Sequence, residues 1–286
     1  MLQVPAFCAL TVQAPDPNRH DRFNNSPSFI GNPHIWAGVG QNAGSFWGTL
    51  VSPNFMLTTT HGPIGGTVRF YQTNNANGAF IERTVISGMQ VAGTDLHLVR
   101  LNAPATGINP FPIAVALSSA EFLGHTLFTF GTAANAPAQQ ANQRLGRNVL
   151  DRLEPGFSNA NLGSTLGDVF LYDFDNPGGV GADESRIESG DSGAPTFILI
   201  NGQPSLIGIH WFQFSEGSFG FPNIGSGDTL VSSYVTQINN GISTLGGSDQ
   251  VTTLSISPVP EPSSLVLAAF VGSASWVAAR RRRVRK

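Results

Sequence analysis

Short segments of alternating or continuous apolar residues follow one another through most of the chain. Each is rich in β-branched and aromatic residues, which favour strands. The candidate strands are SFWGTLVS (45–52), FMLTTT (55–60), TVRFYQT (67–73), AFIERTVI (79–86), LHLVRL (96–101), TLFTFG (126–131), VFLYDF (169–174), PTFILI (195–200) and SLIGIHWF (205–212). Turn-forming stretches such as SPN, NNANG, NGQP and SGD separate them. Many short strands joined by tight turns predict an all-β fold, an antiparallel barrel or sandwich.

One helical pattern appears late, over residues 230–242. Its apolar residues recur at helical spacing and share one face, and a glycine stands where a helix often ends. The face is formed by Val231, Tyr234, Val235 and Ile238, with Gly241 as the expected end. The sequence thus predicts an all-β body followed by a C-terminal helix.

Composition divides the chain into four segments. Residues 1–35 are polar and rich in Pro and Asn, so we expect an N-terminal extension with little to pack, either a poor signal or a pro-segment. Residues 36–245 contain the candidate strands and the helix, and they form the predicted folded domain. Residues 246–258 are interpreted as a flexible linker, and residues 259–286 as a sorting and anchoring tail.

The overall composition excludes several classes of protein. The 286 residues include 33 Gly and 19 Pro, and only 12% are charged, which suits short strands and turns. Six of the 15 basic residues occupy the last seven positions, so the body is acidic and a nucleic-acid partner is not expected. Cys8 is the single cysteine, so neither an intramolecular disulfide nor a cysteine-based metal site can form. No cofactor and no metal are expected.

The C-terminus carries a three-part signal. VPEP (259–262) precedes 17 uncharged residues (263–279), and four arginines (280–283) follow. Seventeen residues form a helix of about 25 Å, the short limit for a transmembrane helix, and the cations after it keep that end in the cytoplasm. The order resembles the PEP-CTERM sorting signal. This resemblance implies export, processing by an exosortase-type enzyme, and a transient inner-membrane anchor for a cell-envelope or extracellular protein.

The opposite end shows a weaker signal. MLQVPAFCALTVQA is mildly apolar, but no Lys or Arg precedes its apolar part, and Gln3 and Pro5 interrupt it. Because the tail implies export, we expect the true start to lie upstream of Met1.

Three polar stretches can together supply nucleophilic catalysis. ESGDSGAP places Ser192 in a tight turn, although a plain surface turn would have the same composition. A serine hydroxyl is a weak nucleophile, so it needs a base within hydrogen-bond reach and a partner that orients this base. GTLVSPNFMLTTTHG carries His61 after an apolar strand, and GTDLHLVRLNAP carries Asp95 at the start of another. A buried aspartate needs a hydrogen-bond donor, and a histidine N–H is one.

These stretches resemble the motifs of the trypsin/chymotrypsin-like serine proteases, in the same His, Asp, Ser order, over about residues 36–243. The resemblance implies a double antiparallel β-barrel with the catalytic cleft between the barrels. It implies Ser192 as the nucleophile, His61 as the general base, and Asp95 as the group that fixes the imidazole tautomer. It also implies an oxyanion hole formed by the N–H groups of Gly190 and Ser192.

Several residues near these motifs differ from the family pattern or compete with it. Thr59 and Thr60 stand where the family has alanines, which adds hydroxyls beside the base. His97 lies two residues beyond Asp95 and is a rival base, although its place in the motif favours a structural role. Asp191 pairs with a newly cut N-terminal amine in the animal members, and no convincing activation site precedes it here.

The resemblance also identifies a candidate specificity pocket. Arg186 would form its floor, and IGIHWF, with His210 and Trp211, its opposite wall. Glutamyl endopeptidases carry a similar Gly-Ile-His-Trp whose histidine binds a substrate carboxylate, so we expect a preference for an acidic residue before the scissile bond. In the alternative, Arg186 faces solvent or pairs with a neighbouring carboxylate. The candidates for that pairing are Asp183, Glu184 and Glu188.

The predicted function is therefore an exported serine endopeptidase that cleaves a protein or peptide substrate through an acyl-enzyme. Two alternatives remain on the sequence alone. One is a catalytically inactive, protease-like binding or extracellular-matrix protein, and the other is an esterase that uses the same chemistry.

Overall fold

The computed structural model describes residues 9–134, 139–159, 165–175 and 178–256. The chain divides into two compact units, Met1–Ser255 and Ile256–Lys286. The predicted sorting tail and its transmembrane helix lie outside the described residues. Within the described ranges, no helix is both long and apolar enough to cross a bilayer.

The described residues are mostly β-strand. The strands are β1 (Thr11–Val12), β2 (Val39–Asn42), β3 (Trp47–Ser52), β4 (Phe55–Thr59), β5 (Thr67–Tyr71), β6 (Phe80–Gln90), β7 (Leu96–Leu101), β8 (Ile113–Val115), β9 (Thr126–Gly131), β10 (Arg144–Val149), β11 (Arg152–Asn159), β12 (Thr165–Asp173), β13 (Ser185–Arg186), β14 (Pro195–Ile200), β15 (Gln203–Phe214), β16 (Gly225–Leu230) and β17 (Thr253–Ser255). The α-helices are α1 (Pro17–His20) and α2 (Val235–Thr244). Short 3-10 turns lie at Ser119–Phe122, Gln139–Ala141, Gly181–Asp183, Ser218–Gly220 and Val231–Tyr234.

Strands β2 to β7 close into a six-stranded antiparallel barrel in the order β2-β3-β4-β7-β6-β5. Its interior holds a buried apolar cluster that includes Leu50, Phe70 and Val99. Burial of each such side chain contributes roughly 1.5–3 kcal/mol. Strands β4 and β7 pair with Thr59 opposite Leu96. The residues just after β4 and just before β7 therefore meet at one end of this barrel.

The second half is an antiparallel sheet in the order β10-β9-β14-β15-β16-β12-β11, with β8 against β15 and β17 against β8. In the described part of the chain, β10 and β11 do not pair with each other, so hydrogen bonds do not close this sheet into a second barrel. The free edge of β10 carries single bridges to Asp21 and Glu184 instead. The expected pair of barrels is thus one closed barrel and one open sheet.

One buried apolar cluster contains side chains from both halves. Trp36 is fully buried, and its ring packs within 5.2 Å of the rings of both Phe130 and Phe197, measured between centroids. The same cluster includes side chains of the first barrel and the buried face of α2, among them Leu57 and Ile238. This shared cluster packs the closed barrel against the open sheet.

Residues 9–35 pack into the body, whereas the expectation for residues 1–35 was an extension with little to pack. Leu10, Phe23 and Phe29 are buried, and β1 pairs with β13. Asp21 accepts a 2.7 Å hydrogen bond from the Arg144 guanidinium, and both side chains are almost completely buried. The polar composition of the segment did not predict this packing, because its charged residues form ion pairs with residues that are distant in the sequence.

The described part of the expected linker, residues 246–256, also contains regular structure. Strand β17 pairs in parallel with β8, and Val251 is buried. The helix likewise continues past Gly241 to Thr244. A Cβ at Gly241 would lie 2.9 Å from Leu98 Cδ2, so this glycine permits close packing of α2 on the barrel rather than ending the helix.

Strand β16 was not expected, because its sequence GSGDTL is typical of a turn. The rings of Phe212 and Phe214 on the neighbouring strand lie directly over its glycines. A Cβ at Gly227 or Gly225 would come within 2.3 Å of these rings. Cross-strand packing therefore overrides the low strand propensity of glycine and serine.

Candidate active site

His61 and Asp95 meet at the end of the closed barrel, where β4 ends and β7 begins. His61 Nδ1 lies 2.8 Å from Asp95 Oδ2 and 3.0 Å from Oδ1. The backbone N–H of His61 also donates to Asp95 Oδ1 at 3.2 Å. The Asp95 side chain is 1% exposed and the His61 side chain 17% exposed. A buried carboxylate thus holds an imidazole that is partly exposed to solvent.

Thr59 is the third member of this cluster. Its hydroxyl donates a short hydrogen bond to Asp95 Oδ2. The Thr59 hydroxyl oxygen also lies 2.7 Å from His61 Nδ1. Thr59 is completely buried, so water does not compete for either contact.

The turn that carries Ser192 packs against the end of β4. A Cβ built on Gly193 would lie 2.9 Å from Thr58 Oγ1 and 3.3 Å from Thr59 Cγ2. From the other side, Trp47 Nε1 donates to the Gly190 carbonyl at 3.2 Å. The structure therefore brings the turn with Ser192 onto the strand that His61 follows.

Ser192 is half-buried, and its hydroxyl has no hydrogen-bond partner among the described residues. The bond from Ser192 Oγ to His61 Nε2 is accordingly not formed in this structure. Bonds of this kind are often long in unliganded sites and tighten when substrate binds.

The backbone around Ser192 presents two free donors. Gly190 has φ +103°, a conformation that strongly favours glycine. The N–H groups of Asp191, Gly193 and Ala194 donate to Glu188, His210 and Asp191 carbonyls, respectively. In the described part of the chain, the N–H groups of Gly190 and Ser192 donate to no protein acceptor. They are the two that the sequence assigned to an oxyanion hole.

Asp191 is completely buried beside this turn. Its carboxylate accepts the backbone N–H of Thr132 at 2.7 Å and that of Glu188 at 2.8 Å. Burial raises the pKa of Asp191 to about 6, although these hydrogen bonds act in the opposite direction. The backbone amides therefore occupy the carboxylate that binds an N-terminal amine in the animal proteases.

Arg186 forms an ion pair with a neighbouring carboxylate, which was the alternative left open by the sequence. Its guanidinium lies 2.7 Å from Glu188 Oε1. The Glu188 carboxylate also accepts a hydrogen bond from Thr11 and one at 3.0 Å from Gln213 Nε2. The Gln213 amide donates as well to the Ile187 carbonyl. The Arg186 charge is thus neutralised within the protein.

His210 is buried inside the second sheet and does not face solvent. Its Nδ1 lies 2.9 Å from Asp228 Oδ1, and its Nε2 lies 2.7 Å from the Phe130 carbonyl oxygen. Because both partners are acceptors, both ring nitrogens carry protons. Burial alone would lower the pKa of His210, but the Asp228 carboxylate raises it above its ordinary value. The expected binding of a substrate carboxylate by His210 does not fit this geometry, since neither nitrogen is free.

Asp228 accepts two further hydrogen bonds inside the sheet. Thr196 Oγ1 donates to its Oδ2, and Tyr172 Oη donates to its Oδ1 at 3.2 Å. Neither Thr196 nor Asp228 was singled out from the sequence. The strand register supplies the missing information, because Asp228 lies directly opposite His210 in the pairing of β15 with β16.

Trp211 lies in an aromatic cluster rather than at an open surface. Its side chain is 1% exposed and packs edge-on against Phe157 and Phe212. The indole N–H is buried without a partner among the described residues. Trp211 therefore supports the wall formed by β15, and its ring is not available as a contact surface for substrate in this structure.

His97, the rival base, is not bonded to Asp95. Its Nδ1 is buried without a hydrogen-bond partner in the described part of the chain, and burial lowers its pKa. Its Nε2 lies close to Gly88, where a Cβ would come within 2.6 Å. Of the two histidines, only His61 bonds to Asp95.

The comparison with known protein families identifies the tail of the chain. Residues 258–283 match the PEP-CTERM protein-sorting motif. This motif is recognised by exosortase-type processing enzymes, and it indicates export and sorting to the cell envelope. The comparison with curated proteins finds no match.

Proposed function

We propose that the chain is an exported serine endopeptidase of the trypsin/chymotrypsin-like type. The observation that carries the proposal is the bond between His61 and the buried Asp95 at the barrel end against which the Ser192 turn packs. The two free N–H groups beside Ser192 give further support. A binding protein would need neither a buried carboxylate behind an accessible imidazole nor a free serine hydroxyl beside them.

In the proposed reaction, Ser192 Oγ attacks the carbonyl carbon of the scissile bond while His61 Nε2 takes the hydroxyl proton. The N–H groups of Gly190 and Ser192 stabilise the charge that develops on the carbonyl oxygen. His61 then returns the proton to the leaving amine, which breaks the C–N bond and leaves an acyl-enzyme. Water, activated by the same imidazole, hydrolyses this ester.

Two observations argue against an acidic preference in this enzyme. The Arg186 guanidinium is paired with Glu188, and both nitrogens of His210 are bonded inside the sheet. An acidic substrate side chain would have to displace Glu188 to reach Arg186. We therefore expect peptides with Glu before the scissile bond to be cleaved no faster than matched peptides with Leu or Gln. The variant Glu188→Gln should raise cleavage after Glu, because it removes the competing carboxylate.

Labelling with a fluorophosphonate tests the nucleophile directly. The wild-type protein should become labelled, and Ser192→Ala should abolish the labelling. Ser189→Ala is the matched control, because Ser189 is an exposed serine three residues earlier in the same turn region. Labelling that persists in Ser192→Ala, or no labelling of the processed, exported form, would contradict the proposal and favour the inactive binding protein. Turnover of esters without any turnover of peptides would favour the esterase.

The tail gives a separate proposal about anchoring. The 17 uncharged residues before the arginines are proposed to hold the chain transiently in the inner membrane. Replacement of Pro260, Glu261 and Pro262 by alanine should leave an uncleaved, membrane-bound form in cell fractions, whereas the wild type is shortened. Equal shortening of both proteins would contradict this assignment.

A further inference from the structure

Thr59 makes contacts that no other hydroxyl of this site makes. Its Oγ1 lies within hydrogen-bond distance of both Asp95 Oδ2 and His61 Nδ1. A threonine hydroxyl has one hydrogen to donate and two lone pairs that accept. Because the carboxylate can only accept, the single Thr59 hydrogen is committed to Asp95.

The hydrogen bond from Thr59 to Asp95 determines which ring nitrogen of His61 carries the hydrogen. With its hydrogen donated to Asp95, the Thr59 oxygen can only accept from His61 Nδ1. The three oxygen atoms around Nδ1, two from Asp95 and one from Thr59, are then all acceptors within 3.0 Å. Neutral imidazole is therefore held with its hydrogen on Nδ1, and Nε2 keeps the lone pair.

The methyl group of Thr59 lies close to the turn that carries Ser192. A Cβ built on Gly193 would lie 3.3 Å from Thr59 Cγ2. A β-branched side chain has few accessible rotamers, so packing of the methyl group also fixes the direction of the hydroxyl. The neighbouring Thr60 hydroxyl donates to the Leu96 carbonyl instead and contacts neither Asp95 nor His61.

We propose that Thr59 is a positioning residue that orients the Asp95 carboxylate and the His61 ring for proton transfer at Nε2, by donating to Asp95 Oδ2 and accepting from His61 Nδ1. The predicted effect on catalysis rests on the proposed function. The position of the hydrogen on the His61 ring can be measured whether or not the protein is an enzyme. Thr59 acts through His61 and Asp95 and does not contact substrate.

The test compares Thr59→Val, Thr59→Ser and Thr60→Val in the full chain. Loss of a hydrogen bond to a charged group should lower kcat of Thr59→Val by about 10- to 100-fold. KM should change little, because no substrate contact is lost. Thr59→Ser restores the hydroxyl and should recover most of kcat, while Thr60→Val serves as the matched control and should resemble the wild type. A wild-type kcat in Thr59→Val, or a loss of the same size in Thr60→Val, would overturn the proposal.

A second measurement keeps the inference testable if Thr59→Val does not fold or the protein proves not to be a hydrolase. The ¹⁵N chemical shifts of the neutral His61 ring in the wild-type protein report which nitrogen carries the hydrogen. We expect the Nδ1–H tautomer. The Nε2–H tautomer would reverse the donor and acceptor at Thr59 and overturn the assignment, whatever the activity of the chain. A wild type without activity but with the Nδ1–H tautomer would refute the proposed function and support the assignment of donor and acceptor at Thr59.

Discussion

The two halves of the molecule each contain a Thr–Asp–His cluster, and the two clusters do different things. In the closed barrel, Thr59, Asp95 and His61 form the outer cluster, with the His61 side chain 17% exposed. In the open sheet, Thr196, Asp228 and His210 form the inner cluster, in which all three residues are completely buried. In both clusters the threonine donates to the carboxylate and the histidine Nδ1 lies within 2.9 Å of it.

The difference lies at the far nitrogen of each ring. His210 Nε2 donates to the Phe130 carbonyl at 2.7 Å, so it holds a proton and cannot accept one. His61 Nε2 has no such partner among the described residues, and the His61 side chain is partly exposed. The same three residue types thus give a buried ion pair in one place and a candidate general base in the other. Backbone geometry around the ring, rather than residue type, separates the two.

The largest expected effect is on hydrolysis and belongs to the outer cluster. Asp95→Asn should lower kcat by about 10⁴-fold, because an amide favours the wrong imidazole tautomer. Its free energy of unfolding should fall less than that of the matched inner variant, since His61 is partly solvated. Peptide turnover and urea denaturation of the same preparation measure both. Full activity in Asp95→Asn would show that the outer cluster is not needed for hydrolysis, and the proposed difference in role between the two clusters would be wrong.

The next effect is on stability and belongs to the inner cluster. Asp228→Asn leaves the His210 imidazolium buried without a counter-charge, so the free energy of unfolding should fall by about 3–5 kcal/mol. Urea denaturation measures this loss, with Asp95→Asn as the control. A loss below about 1 kcal/mol would mean that the buried pair is not charged.

A smaller effect separates the two threonines. Thr196→Val should lower the free energy of unfolding by about 1–3 kcal/mol, because it removes a buried hydrogen bond to a charged group. Peptide turnover at saturating substrate should stay unchanged in the folded fraction. Thermal denaturation and kcat measure the two properties together. Loss of kcat here, equal to that of Thr59→Val, would show that both clusters serve catalysis.

The smallest expected effect is a change of stability with pH. The pKa of His210 is raised in the folded state above its ordinary value of 6.5 by the Asp228 carboxylate, against the effect of burial. Its stabilising contribution is therefore fully present below about pH 6.5, the unfolded value, and is lost as the pH rises through the folded value. The difference in unfolding free energy between wild type and His210→Gln should shrink from pH 6 to pH 9. A difference that grows with pH would contradict the charged pair.

The sequence could predict strands whose own apolar pattern matches their burial in the fold. The strands at Leu96–Leu101, Thr126–Gly131 and Pro195–Ile200 match the apolar segments with the same boundaries. A helix was predicted over residues 230–242 from the spacing of Val231 to Ile238; Val231–Tyr234 instead form a 3-10 turn, and α2 follows at Val235–Thr244. Strand β16 and the buried N-terminal segment were missed, because their glycine, serine and charged residues are compensated only by distant partners.

The candidate site shows the same division. Motif order predicted His61, Asp95, Gly190 and Ser192, because each lies in a distinctive local sequence at a strand end or turn. The sequence named Glu188 among the possible partners of Arg186 but could not choose between this pairing and an open specificity pocket. The environment of His210 could not be predicted, because its partner Asp228 lies on the next strand and no local pattern reveals the strand register.

The sequence by itself determined that this chain is mostly β, carries a sorting tail and holds a serine, a histidine and an aspartate in suggestive order. These features follow from short-range patterns of apolar, charged and turn-forming residues. Only the tertiary structure decided which histidine keeps partial exposure beside a buried carboxylate and which is enclosed in the sheet with both ring nitrogens bonded. That choice depends on strand register and burial, since these set which acceptors surround each ring.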